Sequence, residues 1–186
     1  MACSMNQGYS LLLNQLFIFF LFPIPQAKSI YFDICSLQQN HFDSSNLPLE
    51  GDAYPDLEGL QLTKDLANSL LNYSVGRALY YELVHLWDKI TGWLTNFTTH
   101  FFFIIAGVDG HVSANGLAFF IAPIGSDIPN NSAGEYLGLF SNESALNAIE
   151  KKNVAVEFDT YLNPWDPSNN HVGINVNSIV SDVIVP

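Results

Sequence analysis

The stretch Val156-Glu-Phe-Asp-Thr-Tyr-Leu-Asn-Pro-Trp-Asp-Pro-Ser-Asn-Asn-His-Val-Gly-Ile174 decides how this chain is read. On a strand, alternate side chains share a face. Glu157, Asp159 and Tyr161 are therefore expected to point one way and Phe158 and Thr160 the other, with Phe158 suited to a core. Two carboxylates on one face of an apolar strand are costly to bury unpaired, and a cation removes that cost. The loop then returns Asn163 and Asp166 towards the strand, and His171 follows. Carboxylates, an amide oxygen and a backbone carbonyl suit calcium. Adding an imidazole suits a transition metal such as manganese. The mixture predicts two ions, and Asp159 and Asp166 can bridge both. A solvent-facing acidic strand edge with a loop histidine would explain each residue singly. It does not explain the combined order Glu-x-Asp-x-x-x-Asn, Trp-Asp-Pro and His-x-Gly-Ile, with Trp165, Pro164 and Pro167 shaping the loop.

Outward from this segment, the chain after residue 28 alternates short apolar runs with turn residues. Ser29–Ile34, Leu57–Thr63, Phe97–Ala106, Leu117–Ala122, Val154–Tyr161 and Val172–Ile179 read as strands, punctuated by Gly, Pro, Asn and Asp. Ser144–Lys152 is the one segment that reads as a short helix. There is no internal repeat and no low-complexity linker. The spacing predicts an all-β chain, an antiparallel β-sandwich of Greek-key type.

Composition narrows the function. The chain has 186 residues, with 18 acidic against 6 basic side chains and a formal net charge of −12. That balance argues against a phosphate-binding surface, and so against nucleic acid. Aromatic residues make up 13% of the chain, 14 of them Phe, which suits strands around a large core. Charged residues are only 13%, so Asn, Ser and Thr, or glycan, must cover the wet face. Leu11–Leu13 and Leu16–Phe22 form an apolar run stopped by Pro23 and Pro25, with Ala27 or Ser29 as a small cleavage residue. Residues 1–28 therefore read as a secretory signal peptide, although no Lys or Arg precedes the run. The run is too short for a membrane-spanning helix. Asn72, Asn96, Asn130 and Asn142 each open an Asn-x-Ser/Thr sequon, which fits a secreted glycoprotein. Cys3 would leave with the signal and Cys35 would then stand alone, as a small buried hydrophobe.

The segment 156–174 resembles the metal loop of legume-type (L-type) lectins and of the ectodomains of plant lectin receptor-like kinases. The resemblance extends over most of the chain after residue 29. Gly76-Arg-Ala, Val84-His-Leu-Trp-Asp, Phe97-Thr-Thr-His-Phe-Phe-Phe-Ile-Ile, Asn115-Gly-Leu-Ala-Phe-Phe-Ile-Ala-Pro and Tyr136-Leu-Gly-Leu-Phe carry it, closer in character to the receptor ectodomains than to seed lectins. It implies a concanavalin-like jelly roll over 29–186, forming the N-terminal portion of such a domain. It also implies Glu157, Asp159, Asp166 and His171 as manganese ligands, with Asp159, Asp166, Asn163 and the carbonyl of Tyr161 as calcium ligands. Asn163 would donate its amide hydrogen to the sugar, and Tyr161 would give the sugar an aromatic face.

Three departures bear on these roles. The spacing from Asn163 to Asp166 is one residue shorter than in the family, which would strain the calcium site. The family has Asp where this chain has Asn115, preceded by a cis peptide that would here join Ala114 to Asn115 and persist only if the metal loop holds it. Asn keeps one oxygen acceptor and replaces the other with a donor. Hydrogen bonds to a charged group contribute about 1.5–3 kcal/mol, so the change would weaken sugar binding by about one to two orders of magnitude. Glu135 stands where a Gly with a bare backbone N–H is usual, and Gly134 would take that role by a shift of register. The bland alternative for Asn115 and Gly134 is turn chemistry. The chain also stops soon after Ile179, which reads as a truncated gene product or an incomplete gene model, with exposed sheet edges and apolar faces.

The expected function is therefore carbohydrate binding by a calcium- and manganese-dependent, non-catalytic module, with glycans or glycoproteins as partners. Such a module would be secreted, or plasma-membrane-associated within a longer receptor, and would pair into homodimers through sheet edges. The alternatives are a sugar-dead sandwich that binds protein or an apolar ligand, and a remnant of a receptor-kinase ectodomain. No Ser–His–Asp order, Gly-rich phosphate loop or Cys cluster suggests catalysis. Glu157 and Asp159 as a glycosidase acid/base pair compete with the metal reading, which uses both.

Overall fold

The computed structural model describes residues 30–34, 37, 42–64, 73–106, 115–146 and 152–185. The signal-peptide segment, Cys3, Cys35, Asn72 and Ala114 lie outside the described residues. The chain forms two compact units, Met1–Asp33 and Ile34–Pro186, and the sheets belong to the second.

Every strand pairing among the described residues is antiparallel. β1 (Leu49–Gly51) pairs with β4 (Gly76–Ala78), and β2 (Tyr54–Pro55) with β3 (Leu60–Gln61). The main sheet has four strands in chain order: β5 (Gly116–Ile121), β6 (Val154–Asp159), β7 (His171–Val176) and β8 (Val183–Val185). In β6 and β7, alternation of Val, Ile and Phe with Ala, Glu, Asp, His, Gly and Asn gives two unlike faces. Ala155, Glu157, Asp159, His171, Gly173 and Asn175 share one face and are all buried. Val154, Val156, Phe158, Val172, Ile174 and Val176 share the other.

The buried face is the polar one. Two irregular segments, 134–146 and 177–181, fold over that face. Leu139, Phe140, Ala145 and Ile179 from these segments form the core with Ala155, and Ala118, Phe120 and Trp165 pack against it. Backbone bonds hold the lid down: Ile179 N–H donates to Ala145 O (2.9 Å) and Asn177 N–H to Asn153 O (2.9 Å). Phe158 lies on the opposite face, as its alternation predicts. It meets Phe103 (4.7 Å between ring centroids) and, edge-on, Phe101 (5.9 Å).

Several expected elements differ. β6 ends at Asp159 rather than Tyr161, because the Asp159 carboxylate accepts the N–H of Tyr161 (2.7 Å) and turns the chain. Leu57–Thr63 contracts to β3, and Ser29–Ile34 forms no strand among its described residues, 30–34. Phe97–Ala106 joins no ladder among the described residues, although its Phe101 and Phe103 pack as strand side chains would. Strand preference fixes a side chain's liking for a pleated surface, not the existence of a neighbouring backbone. Ser144–Lys152 opens as turn at 144–146, and 147–151 lie outside the described residues.

Candidate functional site

The β6–β7 hairpin brings the acidic strand against the histidine. Asp159 is the register partner of His171, and Glu157 of Gly173. Three side chains, Asp159, Asp166 and His171, each offer a ligand atom, and these atoms lie within 4.8 Å of one another. The His171 ring nitrogen Nε2 is 3.1 Å from Glu157 Oε1. The short spacing from Asn163 to Asp166 therefore does not stop Asp166 reaching the strand. It is absorbed by a tight loop, in which Asn163 N–H donates to Asp166 Oδ2 (2.7 Å) and Asp166 N–H to Asn163 O (3.0 Å).

The electrostatics are unbalanced. Glu157, Asp159 and His171 are each at least 93% buried, and among the described residues no Lys or Arg pairs with them. Burial pushes the Asp159 carboxyl up to about 6, against the Tyr161 N–H that stabilises its charge, and the Asp166 carboxylate adds to the rise. Burial also raises Asp166, opposed by the Asn163 N–H. His171 Nδ1 lies 3.2 Å from the carbonyl of Ser168. A carbonyl only accepts, so Nδ1 carries the hydrogen, and Nε2 of a neutral ring turns a lone pair towards the Glu157 carboxylate. Asn163 is 5% exposed, and its Oδ1 is a buried acceptor with no hydrogen-bond partner. A buried acceptor left unmatched costs about 1–3 kcal/mol. A cation held by Asp159, Asp166 and His171 would offset this excess of buried acceptors.

The residues expected at a sugar site stand beside this cluster. Asn115 O accepts Thr160 N–H (3.1 Å), and Gly116 pairs with Asp159. Gly134 has a left-handed backbone (φ +72°), and a Cβ there would lie 3.0 Å from Asn115 Nδ2. Gly134, not Glu135, is thus the bare backbone facing Asn115. Glu135 is exposed in the short 3-10 turn Gly134–Tyr136. The Tyr136 ring stacks on Trp165 of the loop between β6 and β7 (6.0 Å, 27°). Tyr161 is exposed beyond the turn at Asp159. The expected cis bond involves Ala114 and lies outside the described residues.

Sequence reasoning missed Gly173, Asn175 and Ser181, which surround Glu157. Asn175 was legible in principle, since alternation from His171 puts it on the same face. Ser181 was not, because it arrives from a loop 24 residues away.

A family model described as the legume lectin domain matches residues 29–186. Agglutinin-2 of Cladrastis kentukea is 43% identical over 174 residues, covering 91% of this chain and 59% of its own. Among solved structures, the metal-free form of lectin I-B4 from Griffonia simplicifolia aligns with TM-score 0.61 and 38% identity, over 76% of this chain and 60% of that one. Winged bean acidic lectin complexed with methyl-α-D-galactose aligns with TM-score 0.60 and 34% identity, over 77% and 59%. The chain thus spans less than two thirds of the length of these relatives.

Proposed function

The chain belongs to the legume lectin family, and on that premise we propose that it is a non-catalytic carbohydrate-binding module organised by calcium and a transition metal such as manganese. The observation that carries this reading is Asn163 Oδ1, buried without a partner beside two carboxylates whose charge burial disfavours. Calcium would be held by Asp159, Asp166, Asn163 and the carbonyl of Tyr161, and manganese by Glu157, Asp159, Asp166 and His171. The metals supply positive charge that lets these buried groups stay ionised and fixes the loop 160–166. With its oxygen so engaged, Asn163 presents its amide N–H₂ outward as a donor to a sugar hydroxyl. Asn115 accepts from a second hydroxyl, the backbone at Gly134 lies alongside, and Tyr161 offers an apolar ring. A related lectin carries methyl-α-D-galactose, which supports a monosaccharide-sized ligand.

Residues 1–28 would be a signal peptide directing the chain to the cell exterior, consistent with Asn96, Asn130 and Asn142 being exposed for glycosylation. Among the described residues, no helix is long and apolar enough to cross a membrane. Pairing of two copies through sheet edges belongs to the same proposal. The test has two arms. Calcium and manganese titrated into chelator-treated protein should raise its melting temperature; no rise would sink the metal reading. Glycan-array binding in both ions should vanish in Asn163→Ala; binding that survives would count against this sugar site, and no glycan binding by the unmutated chain would argue for the sugar-dead alternative with a different ligand.

A further inference from the structure

Glu157 is more thoroughly held than any other carboxylate of the site. It is 2% exposed and both its oxygens are engaged. Oε2 accepts from Asn175 Nδ2 at 2.8 Å, and Oε1 accepts from the Ser181 hydroxyl and faces His171 Nε2. Asn175 is itself 1% exposed. The carbonyl of Ile179 sets the orientation of its amide: it can only accept, and Nδ2 donates to it at 3.0 Å. One N–H thus goes to the lid and the other to Glu157. The amide oxygen, Oδ1, lies 2.9 Å from Ser181 Oγ, so Asn175 and Ser181 also touch each other.

The space for this arrangement is made by Gly173. It sits across from Glu157, between His171 and Asn175 on the buried face. A Cβ there would overlap Ser181 Oγ and come within 2.6 Å of Glu157 Oε1. The Ser181 hydroxyl occupies the room that a β7 side chain would otherwise take. Ile179, whose carbonyl anchors the amide, is buried in the core, and its N–H is bonded to Ala145.

We propose that Asn175 and Ser181 are positioning residues for the transition-metal half of the site: an uncharged amide and a hydroxyl that orient the Glu157 carboxylate towards His171. This rests on the metal reading above. The clamp suits its task because it donates hydrogen bonds to a buried carboxylate without adding a charge that would compete for the cation. Groups behind metal ligands commonly contribute about 10–100-fold to metal affinity.

The test uses the full chain stripped with chelator, with Mn²⁺ as the probe and binding read from loss of the free-ion electron paramagnetic resonance signal. Ser181→Ala and Asn175→Ala should each weaken Mn²⁺ binding by about 10-fold or more, and Asn175→Gln should not rescue, because its longer side chain misplaces the donor. Melting temperature in chelator separates folding from positioning. A purely structural role would lower that temperature and leave the Mn²⁺ dissociation constant of the folded fraction unchanged, which would overturn the proposal. If Asn175→Ala does not fold, Ser181→Ala decides alone. Unmutated chain that fails to bind Mn²⁺ would overturn the metal reading itself. Normal binding by that chain and by the variants alike would overturn only the clamp.

Discussion

Asp159 sits where burial works against its own charge, and the consequence is measurable without any metal. Its carboxyl is raised to about 6 from an ordinary 3.8. A group with a raised folded-state pKa binds its proton more tightly when folded, so its contribution to stability is complete below the ordinary value and lost as pH rises through about 6. The metal-free chain should therefore lose melting temperature relative to Asp159→Asn between pH 4 and pH 7; a difference flat with pH would contradict this. Protons and cations compete for the same oxygens, so stabilisation by calcium should be larger at pH 7 than at pH 5. Asn115 makes a second prediction at this scale. Its amide offers one acceptor where a carboxylate would offer two. Asn115→Asp should tighten sugar binding about 10–100-fold, seen as a lower half-saturating concentration on immobilised glycan. No change would remove Asn115 from the site.

At the scale of elements, the β6–β7 hairpin is the working unit. Its register places Asp159 opposite His171 and Glu157 opposite Gly173. A slip of one residue would reverse every side chain and send both carboxylates to the apolar face. The register therefore builds the site, and Gly173 is its tightest point. Gly173→Ala should lower the melting temperature in chelator, since overpacking costs about 1–3 kcal/mol, and should also weaken Mn²⁺ binding by displacing Ser181 or Glu157. An unchanged Mn²⁺ affinity would show that the space beside Glu157 is not needed. The element that failed expectation teaches the same lesson. Phe97–Ala106 has the composition of a strand, yet among the described residues it pairs with none, while the rings of Phe101 and Phe103 meet the sheet at Phe119 and Phe158. The composition was legible, but a ladder needs a second backbone at about 4.8 Å, which composition does not supply.

Over the whole molecule, the main sheet is covered unequally. The lid of 134–146 and 177–181 buries its polar face, while Val154, Val172, Ile174 and Val176 keep 36–44% of their surface on the other. An apolar patch left open in this way favours association. The chain should bind a hydrophobic reporter dye, and Ile174→Lys should reduce both dye binding and self-association measured by sedimentation, with little effect on the metal site behind the sheet. Dye binding equal in the two proteins would mean that this face is covered. The net charge of −12 opposes non-specific clustering, so the effect should grow with added salt, which screens that repulsion.

The sequence by itself nominated the candidate ligands. Glu157, Asp159, Asn163, Asp166 and His171 lie within 15 residues, and strand alternation plus one loop suffice to bring them together, because local geometry is set by local dihedrals. It also foretold the antiparallel all-β character and the side of the strand on which the carboxylates lie. Only the tertiary structure decided that this polar face is the buried one, that Gly134 rather than Glu135 stands beside Asn115, and that Asn175, Ser181 and Gly173 enclose Glu157. Those facts depend on segments 18 to 24 residues apart packing across a sheet. Contacts of that kind are chosen by which surfaces fit once the chain has collapsed. Spacing along the strand places Gly173 and Asn175 on the shared face, but it does not encode the rest.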